Sequence, residues 1–255
     1  MKLLTLARDL KRRKARERNQ RFVAEGVRSV EMLLESPLTI AGLLSAPSLH
    51  GHIRGQAIID RARELGHEVF TVSEAEFESA AHTDSPQGVL AIASIPVQEL
   101  SAPPATALYL VLDALQDPGN VGTIIRTAAA FSVTATLTLP GTVDLWNAKV
   151  VRSTMGSLFS QTVIEVTSEG LKTFLHEHNI ACWAADTEGR PLAQVTFQVP
   201  GRLALVVSNE GAGLSQDVAA FATERVAIPM AAGVESLNVA VATGILLHAL
   251  RNATN

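Results

Sequence analysis

The sequence predicts an α/β protein: a small α/β domain in front of a larger one built on a parallel sheet. Three observations predict it. Short aliphatic runs alternate with segments of helical period along nearly the whole chain, the pattern of strand–helix units. Apolar residues make up 47% of the 255 residues and charged ones 18%, so a sizeable core can be buried. Aromatics are only 4%, leaving Ala, Val and Leu to fill that core, as buried parallel strands do.

Residues 1–95 read as the first domain. A basic segment ends in strand-like Arg21–Gly26, and Val30, Leu33 and Leu34 fall at helical spacing over 27–35, with Pro37 just beyond. Aliphatic Ile40–Leu44, a helix over 53–65, a strand over 69–72, a short helix from Ser73 and a buried strand over 88–94 complete it. Residues 96–106, with Pro96, Pro103 and Pro104 and no hydrophobic period, read as a linker. In the second domain, 107–255, strands are expected at 108–112, 135–139, 180–185, 203–207 and 225–228. Helices are expected at 121–131, 145–157, 171–178, 214–221 and 237–251. Such a sheet binds ligands at the carboxyl ends of its strands.

Charge is unevenly distributed. Residues 1–21 hold nine Lys or Arg (Lys2, Arg8, Lys11, Arg12, Arg13, Lys14, Arg16, Arg18, Arg21) against Asp9 and Glu17, a balance of +7 in a chain whose net charge is −4. A basic arm on an acidic body fits a polyanion partner, and equally a solvated helix face. The lone Cys182 sits in an apolar run and excludes an internal disulfide framework. His176 and His178 decorate a surface helix, and no metal site is expected. No run of about 18 apolar residues exists to span a membrane. The N-terminus lacks a signal peptide's apolar stretch, so a cytoplasmic location is expected.

Three strand ends carry chemistry. After the 108–112 strand, Asp117-Pro118-Gly119-Asn120-Val121-Gly122 turns into a helix, with Asn120 as the expected N-cap and Arg126 less than two turns on. After the 203–207 strand comes Ser208-Asn209-Glu210-Gly211-Ala212-Gly213-Leu214. Its glycines suggest a dinucleotide fingerprint, but Gln216 stands where the third glycine belongs. Glu210 suits a cationic ligand or a ribose hydroxyl. After the 225–228 strand, Pro229–Asn238 leads into a nearly all-apolar last helix, with Ser236 as a plausible N-cap. A helix apolar on all sides is buried in a core or against another subunit.

Together these segments resemble the three motifs of the SpoU/TrmH family of RNA ribose 2′-O-methyltransferases, in the SPOUT superfamily. The first is Asp117–Gly122 with Arg126, the second Asn209–Leu214, and the third Ile228-Pro229-Met230 with Glu235-Ser236-Leu237-Asn238-Val239. Lys149–Ser157, Phe22–Gly26 and Ser85–Ala91 are also similar to family segments, so the resemblance covers nearly the whole chain. One departure is Ser208, where the family usually has glycine.

The resemblance implies a deep C-terminal trefoil knot, a homodimer, and S-adenosylmethionine as cofactor. The cofactor would be held by Leu139, Pro140 and Gly141, by Ser208, Asn209, Glu210 and Gly211, and by Ile228, Met230, Ser236 and Leu237. It implies catalytic roles for Arg126, Asn120, Ser236, Asn238 and Glu210. The RNA, ribosomal in preference to transfer RNA, would meet Arg126 and the basic residues Lys11, Arg12, Arg13, Lys14, Arg16, Arg18 and Arg21. A non-catalytic RNA-binding protein that keeps the fold is the alternative.

Overall fold

A computed structural model describes every residue except Met1, His52, Phe197, Gln198, Glu210, Ala212, Thr254 and Asn255, and the side chain of His50. The chain packs as two compact units: Met1–Val97 with Asp144–Ser160, and Gln98–Val143 with Gln161–Asn255. The second half of the chain therefore lends a segment to the first unit, which the sequence reading places wholly in residues 107–255.

The first unit runs α1 (Lys2–Asp9), α2 (Arg13–Asn19), β1 (Arg21–Glu25), α3 (Val27–Leu34), β2 (Ile40–Ser45), α4 (Ile53–Glu64), β3 (Val69–Thr71), α5 (Glu74–Ala80) and β4 (Val89–Ser94). Its sheet has the order β1-β4-β2-β3, with β4 antiparallel to both neighbours and β2–β3 parallel. The basic segment is no free arm. Leu4, Ala7 and Leu10 are buried in one cluster with Phe77 and Ala80. Ser73 caps α5 in a reciprocal capping box with Glu76.

The lent segment, with α7 (Ala148–Ser153), is held by Phe22, whose ring centroid lies 4.6 Å from that of Trp146 and 5.7 Å from that of Phe159. Gly156 (φ +93°) approaches so closely that a Cβ there would lie 2.5 Å from the Met32 Cβ. This helix is shorter than the 145–157 expected, because Asn147 caps its start and Met155, at φ +52°, turns the backbone left-handed just past its end.

The second unit holds β5 (Ala107–Asp113), α6 (Pro118–Ala130), β6 (Ala135–Thr138), β7 (Val163–Glu165), α8 (Ser168–Glu177), β8 (Ala181–Pro191), α9 (Leu192–Val195), β9 (Arg202–Ser208), α10 (Gln216–Phe221), β10 (Glu224–Ala227) and α11 (Val239–Ala253). All five strand pairings of its sheet, ordered β10-β8-β9-β5-β6-β7, are parallel. The three-residue β7 is absent from the sequence reading, being too short to show a period. The order in which strands are added reverses between β5 and β9, the kind of crevice where ligands of such sheets gather.

Candidate active site

A cavity of about 210 Å³ opens at the carboxyl ends of β8, β9 and β10. Its walls are largely apolar, with Val207, Leu214, Val226, Ile228, Leu237, Val239 and Leu246, and its polar groups come from Asp186, Thr187, Ser208, Asn209 and Ser236. Such a lining takes a ligand with an apolar body and a few polar handles.

Each wall has a local cause. Along β8, Ala184 pairs with Arg225, yet the next partner, Val226, pairs with Arg190. Residues 185–189 therefore leave the ladder as an excursion, and the first three line the cavity. The excursion is pinned at Asp186, which accepts from Glu188 N and from the Arg225 guanidinium, both at 3.0 Å. Gly189 returns the chain so tightly that a Cβ would lie 2.6 Å from Arg225 C and Val226 N. The loop after β9 closes on itself: Gly213 N donates to Asn209 O, and Gly211 N to Asn209 Oδ1, each at 2.9 Å. Buried Asp113, at the end of β5, accepts from Ser215 N at 2.7 Å and ties that loop to the sheet centre.

Two expected caps move. Asp117, not Asn120, caps α6: its Oδ1 accepts from Asn120 N at 2.7 Å, and Pro118 occupies the first turn. Asn120, already inside the helix, keeps its side chain for other use. Asn238, not Ser236, serves α11: its Oδ1 accepts from Ala240 N at 3.0 Å. Its Nδ2 donates to Asn120 Oδ1, also at 3.0 Å, so the first and third motifs meet through these two amides. Arg126 is exposed on α6, and its side chain makes no hydrogen bond or ion pair among the described residues.

Of the residues implied as cofactor ligands, Ser208, Asn209, Ile228, Met230, Ser236 and Leu237 line the cavity. Leu139, Pro140, Gly141 and Gly211 do not. Leu139 is buried, and Gly141 (φ +90°) packs against the loop after β5, where a Cβ would lie 3.1 Å from that of Ala114. Glu210 lies outside the described residues. Asp186 and Thr187 are missing from the sequence reading, although they directly follow the strand expected over 180–185, which was the available signal.

Among the basic residues of the first unit, Lys11, Lys14 and Arg18 are exposed. Arg12 and Arg13 pair with Asp9 and Glu17 in exposed ion pairs. Arg21 is half-buried and reaches Ser94 Oγ at 3.5 Å. Arg16 is corrected from the RNA-contact set. Its side chain is 6% exposed, pairs with Asp144 and donates to the carbonyls of Leu10 and Lys11. Among the described residues no group of three His, Cys, Asp or Glu side chains could hold a metal. No described helix is long and apolar enough to cross a membrane.

An all-parallel sheet with an apolar-walled cavity at its carboxyl edge is the arrangement of a small-molecule-binding α/β protein. The SpoU rRNA Methylase family model matches residues 107–248, and the MRM3-like substrate binding domain model matches residues 5–91. The chain belongs to the SpoU rRNA methylase family. It is 32% identical to the 23S rRNA (guanosine(2553)-2′-O)-methyltransferase RlmP of Bacillus subtilis, over 94% of this chain and 92% of that one. It is 30% identical to the 23S rRNA (uridine(2479)-2′-O)-methyltransferase of Streptomyces viridochromogenes, over 94% and 85%. Among solved structures, the SpoU methyltransferase AviRb from Streptomyces viridochromogenes in complex with AdoMet superposes with a TM-score of 0.87 at 25% identity, covering 99% of this chain and 97% of that one. The AdoMet-bound rRNA methyltransferase from Sinorhizobium meliloti gives 0.85 at 28%, covering 98% and 94%.

Proposed function

We propose that this protein transfers a methyl group from S-adenosylmethionine to a ribose 2′-hydroxyl of ribosomal RNA. The observation that carries the reading is the meeting of Asn120 with Asn238 beside a cavity whose wall includes Ser236 and Leu237. The cavity fits the cofactor. Its aliphatic walls suit an adenine ring, and Asp186, Ser208, Asn209 and Ser236 suit hydroxyl and ammonium groups. When bound, S-adenosylmethionine supplies an electrophilic methyl group on a sulfonium.

The chain's own residues orient the acceptor. Arginine is always protonated, so Arg126 is no general base. It clamps the phosphate next to the ribose and stabilises negative charge developing on the 2′ oxygen. Asn120, with Asn238 behind it, holds the ribose, and Ser236 and Glu210 complete the site. Lys11, Lys14 and Arg18, with Arg12, Arg13 and Arg21, grip RNA phosphates, which makes residues 1–95 the substrate-binding domain and 107–255 the methyltransferase domain. The second unit carries a deep trefoil knot, as its resemblance to SpoU/TrmH methyltransferases implies. The protein works as a homodimer in the cytoplasm, and the exposed Val241 and Ile245 of α11 support the dimer.

Isothermal titration of the purified protein with S-adenosylmethionine tests the cofactor site, with Ser236→Trp as the blocked control. Saturable binding that the control abolishes is the expected result. Binding that survives the tryptophan places the cofactor elsewhere and overturns the assignment.

A further inference from the structure

An asparagine amide can face a neighbour with its oxygen or its nitrogen, and the backbone of α11 decides which. Ala240 N and Val241 N point at the Asn238 side chain at 3.0 and 3.4 Å. Two donors require an acceptor, so Oδ1 of Asn238 faces the helix and Nδ2 faces Asn120. Nδ2 can only donate, so the Asn120 atom 3.0 Å away is Oδ1. The remaining group of Asn120, its NH2, is turned out of the pair and has no other partner among the described residues.

We infer that Asn238 is a positioning residue that makes Asn120 turn its amide NH2, a hydrogen-bond donor, outward for the RNA. The inference rests on the methyltransferase reading. The groups an RNA brings to this site, the 2′-hydroxyl and the neighbouring phosphates, present oxygens that accept such donors. Asn120 therefore fixes the position of a substrate oxygen and takes no proton from it.

Asn238→Asp separates this role from capping. The carboxylate still accepts from Ala240 N and Val241 N, and a negative charge at a helix N-terminus is favourable. Its second oxygen now attracts the Asn120 NH2, so that amide turns over and shows Oδ1 to the RNA. In the ¹⁵N-labelled full-length protein, the Asn120 side-chain NH2 should exchange freely with water in the wild type and slow several-fold in Asn238→Asp. With S-adenosylmethionine and an unmodified 23S rRNA transcript, kcat should fall by about tenfold or more, the rate equivalent of one missing hydrogen bond. Cofactor Kd and melting temperature should stay at wild-type values. Asn120→Asp, which keeps the bridge but removes the outward donor, should lower kcat alike.

Wild-type kcat in Asn238→Asp or in Asn120→Asp would overturn the inference, as would unchanged exchange of the Asn120 amide. So would a drop in kcat matched by a fall in melting temperature, which marks a merely structural residue. Failure of the methyltransferase reading looks different: the wild type itself would transfer no methyl, while the amide reversal would still establish the orientation.

Discussion

Arg16 and Asp144 are 128 residues apart in sequence and form a buried ion pair, with Arg16 Nε donating to Asp144 Oδ2 at 2.9 Å. The same guanidinium donates to the carbonyls of Leu10 and Lys11, and Asp144 Oδ1 accepts from Trp146 N. One ion pair thus fastens the turn between α1 and α2 to the segment lent by the second half of the chain. Removing one partner of a buried pair leaves the other charge uncompensated.

Arg16→Met should therefore destabilise the protein by about 3 kcal/mol, the low end for such pairs, since Asp144 retains some solvent contact. Arg16→Met with Asp144→Asn should recover part of that stability, because the amide oxygen still serves Trp146 N. Urea unfolding of both variants checks this, and a double variant no more stable than the single one would contradict it.

The exposed basic residues should behave differently. Converting Lys11, Lys14 and Arg18 to Gln should leave stability near wild type and flatten the salt dependence of RNA binding, by roughly 0.7–0.9 in log–log slope for each phosphate no longer neutralised. Filter binding of a 23S rRNA transcript across a salt series measures the slope. An unchanged slope would remove these residues from the RNA interface.

His82 makes stability depend on pH. Burial pushes its imidazole pKa below the ordinary value, and the nearby charges of Lys11, Arg16 and Arg152 push the same way, against the opposing pull of Glu25. The unfolded chain, with His near 6.5, therefore binds the proton more readily than the folded one. The neutral form's stabilisation is complete above about pH 6.5 and is lost as the pH falls from there towards the lower folded pKa. Between pH 7.5 and 5.5 the urea midpoint should drop in the wild type and drop less in His82→Gln. Equal drops would rule out this histidine as the cause.

Cys182 is buried in β8 and its thiol is pushed up to about 12 by burial. The thiolate is the reactive species. A maleimide at pH 8 should leave the native protein unlabelled and modify it once in denaturant. Rapid labelling of native protein would contradict the burial.

Much of this was legible in the sequence where its cause is local. β5, β6, β9 and β10 each appear as aliphatic runs, and Ser73 with Glu76 announces the start of α5. The caps were harder. Asp117 and Asn120 are both capping residues three positions apart, and only Pro118 in the first turn favours Asp117. Non-local causes left no trace. Arg16 looks like every other base in its run, because what buries it is a carboxylate 128 residues away. The excursion over 185–189 is set by register with β10, some forty residues on, and no period within β8 marks it. The carboxyl edge was readable as the place of the site, but Asp186 and Thr187 enter the cavity only through that slipped register.

Ribose methylation is tested by following the methyl group itself. A 2′-O-methyl group removes the hydroxyl that attacks the adjacent phosphodiester in alkali, so the modified linkage survives hydrolysis. The full-length protein is incubated with S-adenosylmethionine labelled in its methyl group and an unmodified 23S rRNA transcript, and the RNA is then hydrolysed in alkali. Label recovered in alkali-stable dinucleotides is the result expected of a ribose methyltransferase. Label in mononucleotides would mean base methylation, and either that outcome or RNA without label would rule out ribose 2′-O-methylation.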